Sequence, residues 1–174
     1  MPDRLKNKRV LVTQCIDYMG PAITQLFTQE GALIDARPGI VPAAGAFAEY
    51  VSQNADIDIL VANLAHAPCN SPTADIQDAD WEGMFDTMVH PLMRLIRHFA
   101  PLMAERGHGK IVAITSAAPL RGLPGSAAYC AARGAQNAFI RATGLEFAAA
   151  NVQINAIAQN YVSNPEYYPN ELVA

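Results

Sequence analysis

Three residues of this chain have the types and spacing for proton abstraction: Ser116, Tyr129 and Arg133. They fall in the stretch TSAAPLRGLPGSAAYCAARGAQ, with twelve residues between the serine and the tyrosine and three between the tyrosine and the arginine. Tyr129 and Arg133 are four apart, so on a helix they share one face. A cation held there favours the phenolate of Tyr129 and makes it a usable base. Ser116 follows the apolar run KIVAIT, which reads as a buried strand. From the strand's end it can hydrogen-bond the same substrate oxygen.

The elements that must position these residues alternate along the chain. Strands are expected at Lys8–Thr13, Ala32–Ala36, Ile57–Asn63, Lys110–Thr115 and Val152–Ala158. Between them lie helical patterns at Pro21–Glu30, within Val41–Asn54, through Asp75–Met103 and over Ser126–Ala150. Alternation of this kind implies right-handed crossovers and a parallel sheet covered on both faces. The expected fold is α/β, a Rossmann-like doubly wound sheet forming a single domain over residues 1–174. In such sheets ligands bind beyond the carboxyl ends of the strands. Thr13, Asn63, Ser116 and Asn160 all fall at or just past such ends.

Composition narrows the class. The chain is 51% hydrophobic and 16% charged, which suits one domain with a real core. A net charge of −4 without a basic stripe argues against a nucleic-acid binder. No apolar run reaches membrane-spanning length and no signal peptide opens the chain. The three cysteines, Cys15, Cys69 and Cys130, are far apart and fit a reducing cytoplasm. They form no ligand-like cluster with the four histidines, so no metal is expected. His66, His90, His98 and His108 read as surface, capping or loop residues.

DIDILVANLA and GKIVAITSAA, with the Ser…Tyr…cation pattern, resemble the short-chain dehydrogenase/reductase superfamily. Three departures stand beside the match. The loop after strand one is Thr13-Gln14-Cys15-Ile16-Asp17-Tyr18-Met19-Gly20, where cofactor-binding members carry a Gly-rich turn. Only Gly20 remains, and Tyr18 stands at an expected glycine. Arg133 replaces the usual lysine, and ANLA at residues 62–65 replaces an Asn-Asn-Ala-Gly turn. In addition, the helix from Trp81 to Ala100 has no asparagine for the reductases' proton relay.

Taken together, KRVLVT…YMG, DILVAN, TMVHPL, AYxxARxAQ, NAIAQN and NPEYYP resemble the halohydrin dehalogenases, a cofactor-free branch of that superfamily. The resemblance implies that Tyr129 takes the proton of a vicinal haloalcohol, Arg133 stabilises the phenolate and Ser116 holds the substrate oxygen. The products are an epoxide and a halide ion, and the reverse reaction opens epoxides with halide, azide, cyanide or nitrite. It places the halide among Tyr18, Gln159, Asn160 and Tyr161, with Tyr168 closing over it, although Gln159 stands where some members have proline. It also implies a cytoplasmic homo-oligomer, dimer or tetramer, joined through Asp78–Met103 and Ser126–Ala150. Members usually continue past the position of Ala174 with a helix pair and a last strand. Two rival readings stay open: an NAD(P)-dependent reductase, and a non-catalytic binding or assembly module of the same fold.

Overall fold

The computed structural model describes residues 3–52, 56–67 and 69–162. Among the described residues five parallel strands form one sheet in the order β2-β1-β3-β4-β5. They are β1 (Arg9–Thr13), β2 (Leu33–Arg37), β3 (Ile59–Asn63), β4 (Gly109–Ser116) and β5 (Val152–Gln159). The helices are α1 (Gly20–Gln29), α2 (Ala44–Val51), α3 (Asp78–Met84), α4 (His90–Glu105), the short α5 (Ala118–Arg121) and α6 (Ala127–Phe147). All five expected strands form, each within two residues of its expected bounds. Among the described residues no helix is long and apolar enough to cross a membrane.

Burial explains the strand order. β3 is ILVAN and buried throughout, as a strand flanked on both sides and both faces must be. β2, LIDAR, lies at one edge and is half exposed. β5 lies at the other edge, with Val152 and Ile154 inward and Gln153 and Asn155 outward. Strand pleating sends Leu11, Leu60 and Ile111 to one face, where they meet Leu92, Leu95, Ile96, Phe99 and Met103 of α4. Val10, Val12 and Val61 go to the other face, against Met19, Ile23 and Phe27. That second face is less completely covered than the alternation predicts: Ile157 of β5 is 54% exposed.

Two features fix the site's frame. From β1 the chain turns outward to β2, and from β3 it proceeds to β4 on the other side, so the crevice between β1 and β3 is the topological switch point. Between α3 and α4 the helix widens into a π turn, Phe85–Val89, so Asp75–Met103 is not one uniform helix. Such turns often accompany functional sites.

Candidate active site

Tyr129 sits in the first turn of α6, and Arg133 one turn later on the same face. The Arg133 Nε donates to the Tyr129 Oη at 3.1 Å, and its Cζ lies 5.2 Å from the ring centroid. Arg133 is only 6% exposed. Its Nη1 donates to the carbonyls of Leu64 (2.9 Å) and Ile114 (3.1 Å), just past the end of β3 and near the end of β4. Among the described residues no carboxylate pairs with it. The guanidinium, satisfied by neutral acceptors, thus lies directly against the Tyr129 hydroxyl with no carboxylate between them.

Ser116 ends β4, in register with Gln159 of β5. Its Oγ accepts from the Ala118 N–H at 3.1 Å, which leaves the hydroxyl proton for a ligand oxygen. Its carbonyl accepts from Asn137 Nδ2 at 3.0 Å, tying the strand end to α6. Ser116, Tyr129 and Arg133 line one cavity together with Tyr18, Gln159 and Asn160. Tyr161 departs from its expected place. Its ring lies by Arg121, centroid to Cζ 5.8 Å, and is not part of the cavity wall. The contact is of cation–π type and lies past the end of β5. Tyr168 lies outside the described residues.

The loop after β1 is latched to β3. Asn63 Nδ2 donates to the carbonyls of Gln14 (2.9 Å) and Asp17 (3.0 Å). The Gln14 amide pairs with Ala65 in both directions, Nε2 to its carbonyl at 3.1 Å and Oε1 from its N–H at 2.7 Å. Gln14 has φ 42° and Tyr18 φ 52°. Both keep a left-handed, glycine-like backbone while carrying side chains, a strain of the kind that collects at functional sites. Tyr18, Ala65 and His66 line the cavity of Tyr129 and also a neighbouring one bounded by Gln14, Asp17 and Ile40. These three residues are common to both cavities.

The short chain dehydrogenase family profile matches residues 42–167. The chain belongs to that family. It is 30% identical to the uncharacterized oxidoreductase YvrD of Bacillus subtilis, over 88% of this chain and 68% of that protein. A solved structure described as a dehalogenation enzyme superposes with TM-score 0.81 at 28% identity, covering 97% of this chain and 78% of the other. NAD+-bound xylitol dehydrogenase, at 23% identity and TM-score 0.82 over 92% and 73%, shares the fold. Among the similar proteins, reductases and oxidoreductases outnumber the dehalogenation enzyme.

Other chemistry-bearing residues have structural or peripheral settings. His98 packs edge-on between Phe47 and Phe99, and burial pushes its imidazole below the usual range. Among the described residues no group of His, Cys, Asp or Glu is placed to hold a metal. Cys69 lines the cavity, and a hydrogen bond to the Asp80 carboxylate, followed by burial, pushes its thiol above the usual range. The Asp80→Asn chain is therefore expected to be alkylated at Cys69 by iodoacetamide at pH 7.5 several-fold faster, since thiolate is the reacting species. Mass spectrometry of the Cys69 peptide measures this, and an unchanged rate would refute the carboxylate's role.

Sequence reading assigned no role to Gln136, the last residue of the AYxxARxAQ stretch, or to Asn137. Both are polar and lie on the inner side of an Ala-rich helix, within two turns of Arg133, which is the signal that marks them.

Proposed function

We propose that this family member converts vicinal haloalcohols to epoxides without a nicotinamide cofactor. The observation that carries the reading is Tyr18, standing at a glycine position of the first turn and lining both the Tyr129 cavity and its neighbour. In open α/β sheets a dinucleotide binds at this switch point, with its pyrophosphate at the first turn. Gln14 and Tyr18 remove the open turn that the pyrophosphate needs. The residues present therefore fit the dinucleotide poorly.

In this reading Tyr129 acts as general base and takes the hydroxyl proton of the substrate, and Ser116 donates a hydrogen bond to the oxygen. The alkoxide attacks the neighbouring carbon, the new C–O bond closes the ring, and the carbon–halogen bond breaks with its electron pair leaving on the halide. Holding oxygen and carbon in line within one molecule supplies much of the acceleration. The halide would leave toward Tyr18, Gln159 and Asn160, where polar hydrogens and aromatic edges suit a large anion.

The names of the relatives favour a second reading, NAD(P)-dependent oxidoreduction. One pair of measurements separates them. Bromide release from a short vicinal bromoalcohol, with epoxide formed in equal amount and no nucleotide added, is the expected result. Tight NADH binding in a fluorescence titration, with no bromide released, would overturn it.

A further inference from the structure

Arg133 has a partner that its contact with Tyr129 does not require. Gln136, one turn further along α6, is 1% exposed and does not line the cavity. Its Oε1 accepts from Arg133 Nη1 at 2.8 Å, and its Nε2 donates to the Met88 carbonyl at 2.8 Å. The amide has one orientation available, because a guanidinium only donates and a carbonyl only accepts. Met88 belongs to the π turn Phe85–Val89, which brings its carbonyl toward α6. The surroundings are apolar: Met84, Met88, Ala128 and Ala132 are all buried. A glutamine in such a place is costly unless both ends are bonded, and here both are.

Two further points give the residue its role. The chain of bonds ends on a main-chain carbonyl and passes through an arginine, which keeps its proton. It therefore transmits position and not protons. Gln136 is also neutral. A carboxylate at the same distance would offset the guanidinium charge that Tyr129 faces.

We propose that Gln136 is a positioning residue for Arg133: alongside the Leu64 and Ile114 carbonyls it ties Nη1 to the π turn and so holds Nε on the Tyr129 Oη without adding a charge. The proposal rests on Tyr129–Arg133 as the reactive pair and is indifferent to which reaction the pair performs. Its test needs no substrate. In ¹H–¹⁵N spectra the Arg133 Nε–H, assigned by its loss in Arg133→Lys, is expected to exchange slowly with solvent. In Gln136→Met, of similar volume but without either hydrogen bond, exchange is expected to quicken about tenfold or more while the amides of β4 and α6 keep their shifts. An unchanged Nε–H in the folded variant would reduce Gln136 to core packing and overturn the proposal. Should Gln136→Met not fold, Gln136→Asn is read the same way, being too short to reach both partners. Where turnover is measurable, kcat of the variant is expected to fall on the order of 10²-fold with KM little changed, the cost of a misplaced reactive group. A native chain that turns over no haloalcohol bears on the proposed reaction alone, since the spectrum reports positioning without it.

Discussion

Tyr129→Phe is expected to lower bromide release from a short bromoalcohol about a thousandfold, with the fold intact. The substitution removes one oxygen and leaves the ring in place beside Arg133, whose Cζ lies 5.2 Å from its centroid. The lost oxygen is the one that accepts from Arg133 Nε and, in the proposed reaction, takes the substrate proton. A positioned general base contributes about 10²–10⁴-fold, and a thousandfold loss corresponds to about 4 kcal/mol of barrier. The binding contacts around it survive, so KM is expected to change little. Halide release at fixed pH measures the effect, with circular dichroism as the control for folding. A folded Tyr129→Phe chain that keeps more than a tenth of its activity would remove Tyr129 from the chemistry. Ser116→Ala is the companion case, and its loss is expected to be smaller, because Arg133 still holds the base.

The parts of this site that could be read from sequence are those set by local periodicity. The KIVAIT run placed Ser116 at a strand end, and helical spacing put Tyr129 and Arg133 on one face; both geometries are present. The strand order places the Gln14–Gly20 turn and the end of β4 around a common crevice, as a parallel sheet with crossovers dictates. Contacts made between distant segments were not legible. Gln14 reads as a poor residue for a nucleotide turn, but its two bonds to Ala65 span 51 positions and exist only once β1 and β3 are neighbours. The Gln136–Met88 bond depends on a π turn, which has no periodicity of its own to betray it. Tyr161 was assigned to the cavity by resemblance. Past the end of β5 no strand alternation governs side-chain direction, and its ring goes to Arg121.

Gly20→Ala is expected to destabilise the protein by about 3 kcal/mol, the upper end of what a single added methyl costs in a packed site. The φ of Gly20 is not the reason, since it lies outside the left-handed region where only five other glycines fall. The reason is proximity. A Cβ on Gly20 would collide with the Gln14 carbonyl oxygen and lie 2.6 Å from the Cys15 carbonyl carbon and 2.7 Å from the Cys15 Cα. All three are backbone atoms, so no side chain can swing aside. Nor can the loop retreat, because the carbonyls of Gln14 and Asp17 are held by Asn63 and the Gln14 amide is paired with Ala65. The strain must go into α1 or into the turn that carries Tyr18, so the cavity wall moves as well as the fold weakening. In a domain of this size about 3 kcal/mol corresponds to a fall in Tm of roughly 6–12 °C. Gly45→Ala is the matched control. Gly45 lies in α2 with nothing within 4 Å of an added Cβ, so the same methyl there is expected to leave Tm unchanged or raise it slightly. Thermal melts of the two variants side by side decide the matter. Equal melting temperatures would show that the first turn has slack, and would weaken the case that Tyr18 is held rigidly across the crevice.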